Sequence, residues 1–175
     1  MLAVLKWLTL KLFYFNSLRS KDVFFIGKRL KFFIEKGNVS IGKKARFADF
    51  CEVQARNSTI TIGNNFNINN FSRIISFSGI SIGNNVTIAQ FVSVLDHDHH
   101  YEFIENELKF DGYDTGKIKI GNNVWIADKA VVLRGVTIGD NVIIAANTVV
   151  NKNVPDNCII AGVPFKIIKQ LNSNE

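Results

Sequence analysis

All three histidines of this 175-residue chain, His97, His99 and His100, fall inside four consecutive positions, in the segment LDHDHHYE at residues 95–102. Imidazole is the side chain that ordinarily changes protonation near neutral pH, which is what general-base chemistry requires. If the segment is an extended strand, His97 and His99 face one way and His100 the other. Asp96, Asp98 and Glu102 flank them, and a carboxylate beside an imidazole orients the ring through its second nitrogen. A solvated loop whose His and Asp residues make only turn hydrogen bonds is the plainer alternative. A metal site is a third reading. Adjacent His99 and His100 do not easily face one ion in tetrahedral geometry, and no histidine stands elsewhere in the chain to complete a ligand set, so no metal is expected.

What could hold such a group in place is first bounded by composition. At 47% hydrophobic and 21% charged residues, with fifteen Phe and two Pro, the chain reads as one domain with a large core. A net charge of +6 favours an anionic ligand, a phospholipid surface or nucleic acid. Nucleic acid finds no further support, because no basic stripe is interleaved with exposed aromatics. Cys51 and Cys158 show neither zinc nor CxxC spacing, so two reduced, buried thiols and a cytoplasmic setting are expected. The opening run MLAVLKWLTLKLFYF is too short to span a bilayer, is interrupted by Lys6 and Lys11, and precedes no signal-peptide cleavage site. As a helix it presents a broad apolar arc. Two readings of it stand: a helix docked on the protein or a neighbouring subunit, or an interfacial helix in peripheral contact with the inner face of the membrane.

A repeat organises the remainder. The phrase aliphatic, any residue, Ile, Gly, polar, polar begins at Val39, Ile60, Ile80, Ile118 and Val136, with glycines at 42, 63, 83, 121 and 139. Steps of 21, 20, 38 and 18 residues are one 18-residue coil with small insertions and one large excursion. Inside the coils a six-residue beat runs through Ile82, Ile88 and Val94, and again through Ile120, Ile126, Val132, Ile138, Ile144 and Val150. Three short strands per turn, each sending alternate side chains inward, build a solenoid whose core closes only when coils stack. The excursion covers residues 95–117 and starts with the histidines, so they stand where the chain leaves a rigid wall. Residues 1–37 are read as an N-terminal apolar, basic segment and 38–164 as the solenoid. Residues 165–175 are read as a short C-terminal helix and tail.

The segment IGNNVWIADKAVVLRGVTIGDNVIIAANTVVNKNVPDN at 120–157, followed by AGVPFKIIK at 161–169, resembles the hexapeptide-repeat acyltransferases over residues 38 to 170. The resemblance implies an all-β, left-handed parallel β-helix; periodicity alone leaves the hand open, and parallel crossovers are normally right-handed. It also implies a homotrimer with sites in the clefts between subunits, and acetyl-CoA as acyl donor. The acceptor it implies is a saccharide, in the manner of capsular and lipopolysaccharide O-acetyltransferases or of amino-sugar N-acetyltransferases. Counted without gaps from residue 82, the family's general base falls on His99, with His97 second. The oxyanion donor falls on the backbone amide of Asp128, where the family often has a small polar residue. Asn69 matches a side chain that touches the acceptor, and Trp125 one beside the pantetheine arm. Ala127, Ala145 and Ala146 would let that arm lie against the coils, and Lys152, Lys166 and Lys169 would meet the cofactor phosphates. A β-helix zinc enzyme of the carbonic anhydrase kind is the rival from the same fold, but there the three histidines come from separate coils and from two subunits.

Overall fold

A computed structural model of the protein describes residues 2–22 and 24–171. After one helix, Leu2–Phe13, the chain winds through six coils whose short strands stack into three parallel walls. The first wall holds Leu18–Ser20, Asn38–Ile41, Thr59–Ile62, Ile80–Ile82, Ile118–Ile120 and Thr137–Ile138. The second holds Phe25–Ile26, Arg46–Phe47, Asn67–Ile68, Thr87–Ile88, Val124–Ile126, Val142–Ile144 and Cys158–Gly162. The third holds Lys31–Glu35, Glu52–Arg56, Arg73–Ser76, Ser93–Leu95, Val131–Val132 and Val149–Val150. This is the left-handed parallel β-helix that the repeat and the resemblance together implied.

The repeat phrase maps directly onto the packing. Ile60, Ile80 and Ile118 are register partners on the first wall and are buried, as are Ile68, Ile88 and Ile126 on the second. Each such side chain contributes roughly 1.5–3 kcal/mol on burial. Nearer the N terminus the prism is filled by Phe24, Phe47 and Phe66, with ring centroids 5.4 and 5.6 Å apart.

At the corner between the first and second walls, Asn65, Asn85, Asn123, Asn141 and Asn157 all hold φ between 54° and 57°. Asparagine tolerates this left-handed conformation best after glycine. Each side-chain amide donates to the next at 2.8–2.9 Å, so the column is a continuous hydrogen-bonded ladder. Before the first four of these the glycine two positions earlier is required by crowding: a Cβ on Gly83 would stand 2.5 Å from the Gly121 carbonyl oxygen.

Three boundaries differ from the sequence reading. The solenoid begins at Leu18 and not at residue 38, because Leu18–Ser20 pairs with Val39–Ile41 and two further strands complete a first coil. That coil reads Leu-Arg-Ser and turns at Lys21, whose amide donates to Ile41 as Gly42 does to Ile62, so the repeat phrase is missing while its hydrogen bonds are present. The expected C-terminal helix is a strand, Phe165–Gln170, antiparallel to Cys158–Gly162. An open strand edge at the end of a solenoid leaves unpaired backbone groups, and folding the chain back on it satisfies them; residues 172–175 lie outside the described residues. The excursion is not a loop but a hairpin, His97–Ile104 with Glu107–Thr115, closed by Glu105 and Asn106 at φ 52° and 63°, the positive pair that a two-residue turn of this kind needs.

The N-terminal helix docks by one face. Trp7, Leu10 and Tyr14 pack on the core, Trp7 Nε1 donates to Ser20 Oγ at 3.1 Å, and the Tyr14 hydroxyl donates to the Phe32 carbonyl at 3.0 Å. Leu5, Leu8, Leu12 and Phe13 remain exposed. Among the described residues no helix is long and apolar enough to cross a membrane.

The corner glycines yield a direct test. Gly83→Ala forces the Gly121 backbone to shift and is expected to cost about 1–3 kcal/mol by overpacking, read as a lower midpoint in chemical denaturation. Gly112→Ala, in the exposed hairpin where a Cβ meets nothing within 4 Å, pays only for its positive φ and should lose less.

Candidate active site

The histidine hairpin leaves the third wall at a single anchored residue. Asp96 is fully buried, and its carboxylate accepts the amides of Phe77 at 2.7 Å, Ser78 at 2.9 Å and Gly79 at 2.7 Å and the Ser76 hydroxyl at 2.8 Å. Its own carbonyl accepts the Gly116 amide at 2.9 Å, so both strands of the hairpin are tied to the body at this point. The sequence reading offered Asp96, with Asp98 and Glu102, either as a carboxylate orienting an imidazole or as an exposed loop acid. Burial makes it instead the fixed root of the hairpin.

His97 follows immediately. Its ring lies 4.1 Å from that of Phe77 and 5.4 Å from that of Tyr113, with 14% of the side chain exposed. Nδ1 is buried, 3.5 Å from Asp96 Oδ1, and makes no well-aligned hydrogen bond. Burial holds its pKa below the ordinary 6.5, opposed by the negative charge of Asp96, so the imidazole is neutral at physiological pH and ready to accept a proton. His99 is exposed and packs on Tyr113 at 4.8 Å and Phe110 at 5.6 Å, on the same side as His97. His100 faces the other way, 3.2 Å from Asp114 and 3.6 Å from Glu102. Asp98 is engaged by Arg134 at 2.7 Å. Arg134, from the coil after the hairpin, also reaches Asp114 at 3.7 Å, and so braces both strands. It escaped the sequence reading because its partners are 36 and 20 positions away and no repeat phrase marks it. Among the described residues, no group of three or more His, Cys, Asp or Glu side chains is placed to hold a metal ion.

The other residues singled out from sequence lie on a different part of the prism. Trp125 points outward from the second wall, half-exposed, in a shallow groove of about 400 Å³ with Asn85, Thr87 and Asn123. At the corner between the second and third walls, Ala48, Asn69, Ala89, Ala127 and Ala145 form one column linked by amides donating to the coil above. Asn69 is the one polar member of that stretch. Its backbone and side-chain amides both donate to the Ile88 carbonyl, at 2.9 and 3.2 Å. Asp128 belongs to the adjacent column, and its Oδ1 accepts the Gln90 amide at 2.8 Å. The carboxylate is thereby accounted for as a corner ligand, in the way that Asn70 accepts from Asp49 at 3.0 Å. Lys152, Lys166 and Lys169 stand at the C-terminal end, Lys152 Nζ 5.0 Å from the Phe165 ring centre and the other two on the terminal strand.

Within one chain these two sets do not meet. The third wall runs from the Phe91 corner to Asp96, so its width, about 3.3 Å per residue, separates the histidines from the column of Ala127 and Asn69. Sequence reasoning missed a further column on that corner: Phe50, Phe71 and Phe91 stack at 5.0 and 5.1 Å, half-exposed, each at φ between 57° and 61°.

Three walls of short parallel strands, a column of asparagines and one projecting hairpin define a hexapeptide solenoid. Residues 117–152 match the bacterial transferase hexapeptide family (six repeats), the segment in which the sequence resemblance to hexapeptide-repeat transferases is concentrated. It is 41% identical over 120 residues to galactoside O-acetyltransferase of Escherichia coli K12, covering 67% of this chain and 57% of that protein. It is 32% identical over 120 residues to the putative lipopolysaccharide biosynthesis O-acetyl transferase WbbJ of the same organism, covering 65% and 61%. The chain therefore spans less than two thirds of the length of either relative. Among solved structures, galactoside acetyltransferase in complex with coenzyme A superposes with a TM-score of 0.57 at 28% identity, covering 89% of this chain and 65% of that one.

Asp96→Asn tests the hub. An amide NH2 turned toward several donors should cost about 1–3 kcal/mol, and loss of the negative charge should lower the His97 pKa further; imidazole NMR titration would contradict this if the midpoint rose. In the native protein His97 has a folded pKa below its unfolded value. Its share of stability is therefore complete above about pH 6.5 and is lost as pH falls through the folded pKa.

Proposed function

We propose that the protein is an acetyl-CoA-dependent acetyltransferase acting on a saccharide hydroxyl, of the kind found in bacterial surface polysaccharides or their precursors. His97 is its general base. The observation that carries this reading is the setting of His97, a neutral, largely shielded imidazole on an anchored strand, with Nδ1 turned toward buried Asp96 and Nε2 left to take a proton. His99, first by ungapped counting, is exposed and lacks that backing.

In the proposed reaction Nε2 of His97 takes the acceptor hydroxyl proton while the oxygen bonds to the thioester carbonyl carbon. The backbone amide of Asp128 donates to the resulting oxyanion. The carbon–sulfur bond then breaks, and the imidazolium returns the proton to the departing CoA thiolate. No acyl-enzyme forms. Trp125, Ala127, Ala145 and Ala146 flank the pantetheine arm, Lys152, Lys166 and Lys169 meet the cofactor phosphates, and Asn69 faces the acceptor.

Because the histidines and the Asn69 column occupy different edges of one chain, the site is completed by a neighbouring copy, in a homotrimer. Two exposed apolar surfaces favour this: the hairpin with Tyr101, Phe103, Leu108 and Phe110, and the phenylalanine column beside Asn69. The exposed Leu5, Leu8, Leu12 and Phe13 of the N-terminal helix support peripheral contact with the inner membrane face.

A thiol-release assay with acetyl-CoA and a panel of sugars and amino sugars tests the reading. His97→Ala should lose roughly 10²- to 10⁴-fold in kcat/KM, with His99→Ala near wild type; the reverse pattern would move the base to His99. Transfer only to amino sugars would make nitrogen the attacking atom. Light scattering should give the mass of three chains.

A further inference from the structure

The coils nearest the N terminus carry a feature that proton transfer at His97 does not use. On the second wall, Lys6, Lys28 and Arg46 line one cavity of about 460 Å³ together with Phe25, Asp49 and Asn70. The Lys6 ammonium donates to the Gly27 carbonyl at 2.9 Å, and the Arg46 guanidinium lies 5.3 Å from the Phe25 ring centre. Asp49 is the sole carboxylate in the lining, and its Oδ1 accepts the Lys28 backbone amide at 2.7 Å. Among the described residues none of the three cations is in an ion pair.

Positive charges thus outnumber negative by two around one concavity. Like charges facing a cleft raise its free energy until an anion enters, and the cleft walls focus that field outward. A guanidinium fork placed over an aromatic ring, in a cleft also lined by two lysines, matches a phosphate in charge and hydrogen-bonding capacity. The position decides which phosphate. Arg46 pairs in register with Asn67, then Thr87, then Trp125 along one outward column. Coils stack about 4.8 Å apart, so the cavity lies roughly 14 Å from Trp125. It stands toward the N-terminal coils, whereas Lys152, Lys166 and Lys169 stand at the C-terminal end, where the proposed function puts the cofactor phosphates.

We propose, resting on the reading of the acceptor as a saccharide, that the Lys6–Lys28–Arg46 cavity binds a phosphate carried by that acceptor, as in a glycosyl phosphate or diphosphate. The phosphate anchors the acceptor on the second wall, and the sugar to be acetylated extends along the column toward Trp125.

The test uses the full-length protein and the double variant Lys28→Gln/Arg46→Gln, which changes two exposed side chains and leaves the Lys6 contact to the backbone in place. Inorganic pyrophosphate is titrated calorimetrically in saturating CoA, so that cofactor phosphate sites are filled. Wild type should bind it with an affinity that falls as salt rises, and the variant at least tenfold more weakly; equal affinities overturn the proposal. In the thiol-release assay, the variant's KM for a glycosyl phosphate should rise at least tenfold, while KM for the unphosphorylated sugar and for acetyl-CoA stays unchanged. Sedimentation with phosphatidylglycerol/phosphatidylcholine vesicles separates the sources. Vesicle binding that weakens in the variant without any discrimination between the two acceptors assigns the cations to lipid headgroups and overturns the proposal. If no acceptor is acetylated at all, the transferase reading fails, while the pyrophosphate titration still decides the cavity.

Discussion

Everything in this molecule depends on one coil hydrogen-bonding in register to the next. No coil holds a core of its own: Ile88 is buried because Ile68 and Ile126 lie directly below and above it. The backbone amides at the corners point along the prism, as when Gly63 donates to Ile82 and Gly83 to Ile120. A displaced coil would break both the apolar ladder and the hydrogen bonds on all three walls. The result is a stiff scaffold on which outward side chains are fixed in straight columns. That is why Arg46, Asn67, Thr87 and Trp125, far apart in sequence, lie on one line.

The excursion is grafted onto this scaffold without disturbing it. Ile80–Ile82 pairs with Ile118–Ile120 in unbroken register across the inserted hairpin. Asp96 makes that possible, because its buried carboxylate holds the turn Phe77, Ser78 and Gly79 that ends the preceding coil, and the backbone carbonyl of the same residue holds the hairpin's return at Gly116. An unsatisfied buried carboxylate would be strongly unfavourable, and four donors remove that penalty. The same carboxylate then sits beside His97, so the group that shapes the backbone also tunes the imidazole.

The two corners flanking the second wall solve one conformational problem differently. Both need a residue at positive φ in each coil. One fills the position, after Lys44, with asparagines that pair along the prism. The other uses Phe50, Phe71 and Phe91 in its three middle coils, bulky residues for which this conformation is strained, with Arg29 before them and Lys129 and Asn147 after. Stacking between the rings offsets part of that strain, and Arg29 over Phe50 at 5.5 Å adds a cation–π contact. The exposed ring edges lie beside the column of Asn69, where the proposed function seats a second copy.

The sequence by itself determined the solenoid, its coil length, the inward Ile/Val ladder and the place where the histidines leave the wall. Each follows from a strict local period, and a period is legible wherever every coil meets the same packing problem. The end coils escaped for the same reason. Leu18–Glu35 meets another coil on one side and the N-terminal helix on the other, and Phe165–Gln170 ends its sheet, so neither need repeat the phrase, and only their hydrogen bonds reveal them. Tertiary structure alone decided the environment of each imidazole. Burial of Asp96, the rings of Phe77 and Tyr113 around His97, and Arg134 across Asp98 and Asp114 all rest on partners 16 or more positions apart in sequence. No count along the chain can supply those contacts, because side-chain burial is set by what the fold brings alongside and not by sequence neighbours.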